Sequence, residues 1–134
     1  MVGSAIDIAL SGLLANSRRI ENAASNIANA TSSGAIDPAD GPTAFAPNDV
    51  VQQTQPNGGV GTITVPRDPA FVPSFDPGSP FANSEGLINT PNVNLAEEAV
   101  DVSISRIAFQ ANLAVIETVN DLSEEVLSIF DEEA

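Results

Sequence analysis

All ten prolines of this 134-residue chain lie between Pro38 and Pro91, and the flanks contain none. Proline removes a backbone donor and clashes with the preceding helical turn, so a proline about every five residues forbids a helix through the middle. Residues 34–91 also hold seven of the nine glycines. The chain therefore divides into residues 1–33, 34–91 and 92–134. Charge follows the same division: the three segments carry net 0, −5 and −9.

The first segment reads as an amphipathic helix. Ile6, Leu10, Leu13, Ser17, Ile20, Ala24 and Ile27 alternate spacings of four and three, the a/d seam of a left-handed coiled coil. Ser4 with Asp7 three residues on resembles a capping box, and Asn29, Thr31, Ser32, Ser33 and Gly34 supply stop signals. The seam is thin, since Ala24 is small and Ser17 polar. Helical stability comes mostly from packing, so this helix needs a neighbour.

The third segment reads as a longer helix from Leu95 to Phe130, with Asn94 as N-cap and Glu97 and Glu98 in its dipole-favoured first turn. It has two apolar seams. One is Val100, Ile104, Ile107, Ala111, Val115, Thr118, Leu122, Val126 and Ile129. The other is Leu95, Ala99, Val102, Arg106, Phe109, Leu113, Ile116, Asn120, Ser123, Leu127 and Phe130. At 100° per residue these seams lie on nearly opposite faces. A partner helix within the chain covers one face. The other requires a second copy or another subunit.

In the middle, Asp49–Thr54 and Val60–Val65 flank Gln55-Pro56-Asn57-Gly58-Gly59, which predicts a short β-hairpin around an Asn-Gly turn. Residues 66–80 are expected to be extended. An isolated hairpin is marginal, so this one must lean on a helix or a neighbouring subunit. The fold expected is mainly α: long N- and C-terminal helices pairing as a coiled coil around a Pro/Gly-rich extended middle with a short hairpin.

The residue inventory narrows the chemistry. There is no Lys, His, Cys, Trp or Tyr, and there are four arginines against 18 acids. The usual zinc and haem ligands are missing, as are the components of a Ser-His-Asp or Cys-His site, a lysine Schiff base and a P-loop. A net charge of −14 repels phosphate backbones, so nucleic acid is not expected as a partner. No cofactor, metal or small-molecule substrate is expected. No stretch is read as approaching the roughly 20 apolar residues of a membrane span, and no direct membrane insertion is expected. The N-terminus lacks the basic region of a cleaved secretory signal.

Several clusters admit a functional and a plain reading. Asn22, Asn26 and Asn29 share one side of the helix, either as a solvated face or as donor–acceptor groups fixing register between packed helices. The oxygens of Asp76-Pro77-Gly78-Ser79-Pro80 through Glu85-Gly86 lack EF-hand spacing and read as a turn rather than a calcium site. Glu97, Glu98 and Asp101 are better explained by capping and the helix dipole than by acid–base catalysis. Arg18 and Arg19 read as solubilising. Arg106 sits in an apolar seam and is expected to pair with Asp101, Glu117 or a carboxylate on another subunit.

Three stretches carry a family resemblance. Ala9-Leu10-Ser11-Gly12-Leu13 followed by Arg19-Ile20-Glu21-Asn22-Ala23-Ala24-Ser25-Asn26-Ile27-Ala28-Asn29-Ala30 resembles the N-terminal signature of flagellar rod and hook proteins. Pro91-Asn92-Val93-Asn94-Leu95-Ala96-Glu97-Glu98-Ala99-Val100, with Phe109-Gln110-Ala111-Asn112, resembles their C-terminal signature. Asp76-Pro77-Gly78-Ser79-Pro80 leading to Glu85-Gly86-Leu87-Ile88 is similar to the basal-body rod protein C type of the proximal rod family.

The resemblance implies a structural, non-enzymatic subunit, passed unfolded through the flagellum-specific type III exporter without a cleaved signal. It then polymerises into the rod within the periplasmic basal body. Partners would be other copies, other rod proteins and the export apparatus. The seam and motif positions expected to pack between subunits are Leu10, Leu13, Ile20, Asn22, Asn26, Ile27, Asn29, Asn92, Asn94, Val102, Arg106, Phe109, Leu113 and Ile116. A free monomer is expected to show little helix and to gain it on association. The competing expectation is a soluble helical binding module, such as a secretion chaperone or adaptor, that forms a discrete dimer.

Overall fold

The computed structural model describes residues 2–56 and 58–132, with side chains placed for residues 4–56 and 58–129. Asn57 of the turn, Glu133 of the acidic end and the side chains of Phe130, Asp131 and Glu132 lie outside these. Six elements follow one another: α1 (Val2–Asn29), β1 (Asn48–Thr54), β2 (Val60–Pro66), β3 (Phe71–Phe75), β4 (Leu87–Pro91) and α2 (Leu95–Glu132). The architecture is mainly α with small antiparallel sheets, and the two long helices pack on each other.

α2 begins where the sequence places it: the Asn94 side chain accepts the Ala96 amide at 3.1 Å, and Asn94 C=O takes the first helical bond from Glu98 at 3.0 Å. α1 begins earlier than its capping-box signature implies. It is already helical at Val2, which places Ser4 inside the first turns instead of at the cap. Nothing between Val2 and Ser4 forbids helix, so the chain continues through.

The expected hairpin forms, with Val50 opposite Thr64 and Gln52 opposite Thr62. A second antiparallel pair also forms. Residues 71–75, read only as extended, pair with Leu87–Pro91, and Pro73 lies opposite Asn89. Proline is tolerated because β3 is an edge strand, while Asn89 of β4 exchanges its backbone hydrogen bonds with Gly34 on the other side. The turn between β3 and β4 is held by side-chain oxygens. Asp76 accepts the Gly78 amide at 3.2 Å, and Asn83 accepts the amides of Glu85 and Leu87, each at 2.9 Å.

The β1–β2 hairpin leans on α1. The Ser11 hydroxyl donates to Ile8 C=O at 2.7 Å and accepts the Val60 amide at 3.1 Å. Gly59, with φ of +84°, lies so close that a Cβ there would come within 2.4 Å of the Ser11 oxygen.

The helices run antiparallel, since Gly12 meets Asn112 and Asn26 meets Glu98. Their contact has the expected four-three period but a different phase. The covered positions of α1 are Ala5, Ala9, Gly12, Asn16, Arg19, Ala23 and Asn26, each one residue before the expected seam. On α2 they are Glu98, Val102, Ser105, Phe109, Asn112, Ile116, Val119 and Ser123. A Cβ on Gly12 would fall 2.7 Å from the Asn112 amide group, so the glycine leaves the room that the Asn112 side chain fills. Bulkier Leu10, Leu13, Ile20, Arg106 and Leu113 flank the contact, as the one-residue shift requires.

The core is correspondingly thin. Its buried apolar residues are Ala9, Ala15, Ala23, Ala35, Ala44 and Ile88, joined by Pro47. By contrast, every described member of the row Val100, Ile104, Ile107, Ala111, Val115, Thr118, Leu122, Val126 and Ile129 is exposed. By length and composition alone, the helix Leu95–Ile129 is apolar enough to cross a membrane, its most apolar 18-residue window having a mean hydropathy of 1.3, contrary to the expectation that no stretch comes near.

Candidate functional site

Two surfaces carry the chemistry of this chain: a polar knot where four segments meet, and the apolar faces of the helix pair.

The knot forms at the start of α2. Asn26, fully buried, donates to Asn48 C=O at 2.9 Å and to Glu98 Oε1 at 3.1 Å, and accepts the Asn48 amide at 3.3 Å. Asn22 donates to the same Asn48 carbonyl at 2.7 Å. Asn22 and Asn26 thus tie α1 chiefly to the entry to the hairpin, and Asn26 also to α2. Asn29 only returns to Ser25 C=O one turn back, at 2.8 Å. Asn92 donates to Pro69 C=O at 2.9 Å, joining the two ends of the β3–β4 segment.

Arg67, from the end of β2, reaches across the knot. Its Nε donates to Asp49 Oδ1 at 3.0 Å, Nη1 to Asn92 C=O at 2.9 Å, and Nη2 to Glu98 Oε1 at 2.8 Å. The hydrogen bond to Asp49, joined by the attraction of Glu98, outweighs burial and raises the guanidinium pKa above its already high value. Stability drawn from a raised pKa is lost only as pH climbs past it, so this tie survives any mildly alkaline solution. Nearby, Arg19 pairs with Asp101.

The carboxylates at the start of α2 therefore do more than favour the dipole. Glu98 is 5% exposed and joins Asn26 and Arg67. Its place at the head of the 98–102–105–109 heptad phase is the sequence signal that would have found it. A cleft of about 400 Å³ beside the knot is lined by Arg19, Asn22, Asp49, Arg67, Glu97, Glu98 and Asp101. Arg19 is engaged with Asp101, and Arg67 with Asp49 and Glu98. This arrangement can hold segments together but offers no activated acid or base.

The structure separates the expected packing positions. Asn22, Asn26, Asn92 and Asn94 serve the knot and its surroundings, and Val102, Phe109 and Ile116 lie toward α1. Leu10, Ile27 and Leu113 remain exposed at 47%, 37% and 41%. Leu13 and Ile20 are half-buried. The pairing expected for Arg106 does not form within the chain: Asp101 is taken by Arg19, and Arg106 has no ion pair among the described residues. The one-residue shift of the seam is the reason, since it turns Arg106 outward.

A groove of about 370 Å³ lies along one edge of the helix pair, lined by Ser17, Ile20, Glu21, Arg106, Phe109, Gln110 and Leu113. With the outer row of α2, it leaves far more apolar surface open than six small buried residues offset.

Comparison with known proteins gives this surface a context. Residues 84–129 match the family model described as flagellar basal body rod FlgEFG protein C-terminal. The flagellar basal-body rod protein FlgC of Yersinia enterocolitica is 35% identical over 130 residues, spanning 92% of this chain and 93% of that protein. Its counterpart in Salmonella typhimurium is 35% identical over 128 residues, with the same coverage of each. FlgC of Borreliella burgdorferi is 31% identical over 147 residues, covering 94% of this chain and 95% of the relative.

Proposed function

The chain belongs to the FlgC family of flagellar basal-body rod proteins, as a structural subunit and not an enzyme, and from this premise we propose that it polymerises through its terminal helices into the proximal rod. It assembles with other rod components in the flagellar basal body. The observation that carries the polymerisation reading is the heptad row from Val100 to Ile129 on α2, every member of which is exposed. Burying a Val, Leu or Ile side chain is worth roughly 1.5–3 kcal/mol, and an apolar stripe of this kind on a helix calls for another helix against it. Acids flank the row, and Arg106 and Glu117 fall within the most apolar stretch, which favours protein over lipid as its cover.

In this reading the helix pair becomes part of a coiled-coil wall, with segments 1–33 and 92–134 as the axial core and 34–91 contacting neighbours. The positions left open by the one-residue shift, Leu10, Leu13, Ile20, Ile27, Arg106 and Leu113, pack between subunits. The chain leaves the cytoplasm through the type III exporter and assembles in the periplasmic space. Helical order is completed on docking, above all in α2 beyond Ser123, where no described side chain up to Ile129 is covered. An adaptor forming a discrete dimer gains no support from relatives that match over nine-tenths of the chain and are named as rod proteins.

Deleting the gene should leave basal bodies arrested at the proximal rod. Expressing Ile107→Asp in its place should restore a folded protein but not the rod. Complete rods in the deletion strain would sink the proposal.

A further inference from the structure

We propose that the acidic, apolar far end of α2 in one copy docks into the groove between α1 and α2 of a second copy. The proposal rests on the subunit reading above and gives that surface a definite occupant. The groove is walled by Ile20 on α1 and by Phe109 and Leu113 on α2, with Arg106 among its lining residues. Of the four arginines, Arg19 and Arg67 are engaged in the knot. Arg18 makes only an exposed 3.8 Å contact with Glu21, and Arg106 makes no ion pair among the described residues. At the groove, Glu21 is met by the Ser17 hydroxyl and by Arg18, which leaves Arg106 as the lining charge with no counter-ion among the described residues.

Its complement is an apolar helix bordered by carboxylates. Leu122, Val126 and Ile129 have the four-three spacing of one helix stripe and are 56%, 45% and 56% exposed. Asp121 and Glu125 stand one residue before Leu122 and Val126. This end of α2 cannot reach its own groove, because both belong to one continuous helix. From Leu113 to Val126, thirteen residues of helix place them about 20 Å apart along the axis. The occupant is thus another copy. Joining different surfaces of two copies leaves a free groove on one and a free helix end on the other, so the contact propagates instead of closing as a dimer.

The chain contains no cysteine, which makes disulfide cross-linking unambiguous. Full-length Leu113→Cys and Val126→Cys chains, mixed under mild oxidation, should give the 113–126 cross-link in excess of either homodimer. It should also exceed the yield of Val126→Cys with a Phe75→Cys control, whose site on β3 is exposed. Adding Arg106→Glu to the first chain should lower the yield, and Glu125→Arg in the second should restore it about fivefold at low salt. Dominance of either homodimer, or a 113–126 yield no greater than the control, would overturn the docking. In cells, basal bodies that contain both chains but lack this cross-link, or that link Val126→Cys to a different rod protein, also overturn it while leaving the subunit reading intact. Complete basal bodies built without the chain would overturn the subunit reading itself.

Discussion

The two faces of α2 carry different inventories. Toward α1 it alternates Val102, Phe109, Ile116 and Val119 with the polar Glu98, Ser105, Asn112 and Ser123, while Val100, Ile104, Ile107, Val115, Leu122, Val126 and Ile129 face outward and exposed. A self-sufficient globular protein places its largest apolar side chains inside. Here the inner contact depends on closeness and polar ties, and the larger hydrophobic surface is left for association. The difference teaches that folding and assembly draw on separate sets of residues, so substitutions should act on one without the other.

The sharpest test of the inner face is its arginine tie. Arg67→Met removes four charge-assisted bonds and leaves Glu98 buried without its cation, so thermal melting followed by circular dichroism should show a loss of about 3 kcal/mol. An effect below about 1 kcal/mol would mean that the knot merely decorates the fold. Gly12→Leu should be next. It drives a side chain into Asn112 and should cost about 2 kcal/mol, with part recovered by Asn112→Ala. Ser105→Ala should act in the opposite direction. Ser105 is fully buried, and its hydroxyl has no hydrogen-bond partner among the described residues, so its removal should stabilise by about 1 kcal/mol.

The smallest expected change in stability tests the outer face. Ile107→Ser should shift the melt by less than about 0.5 kcal/mol yet lower polymer yield measured by sedimentation. Ile107 is 67% exposed, so a large loss of monomer stability would break the comparison between faces.

Much of this division is legible in the sequence. The proline cluster marks the middle, Asn94 marks the start of α2, and the two apolar rows announce that the chain needs a partner. The phase of the inner seam is not legible in the same way. A four-three period can be read from any of several neighbouring positions, and assigning the bulkiest residues to the inside selects Leu10, Leu13 and Ile20. In the fold, Gly12 and Ala23 take the inside, and at Gly12 the Asn112 side chain fills the space that a larger residue would need. The β3–β4 pairing is hidden for a related reason: Pro73 argues against a strand unless the strand is an edge. Glu98 is obscured by its position, since any acid in a first helical turn is already explained by the dipole.

The antiparallel pairing of α1 and α2 also has a consequence for timing. Arg19 waits for Asp101, 82 residues later, and Asn26 for Glu98, 72 residues later. Closing loops of that length is slow compared with forming a helix or a hairpin. A chain that emerges with its amino end first can form β1–β2 and rest it on α1 early, through Ser11, Asn22 and Asn26, but its first helix has no helical partner until the start of α2 follows. The helix pair therefore closes last, onto a hairpin already in place.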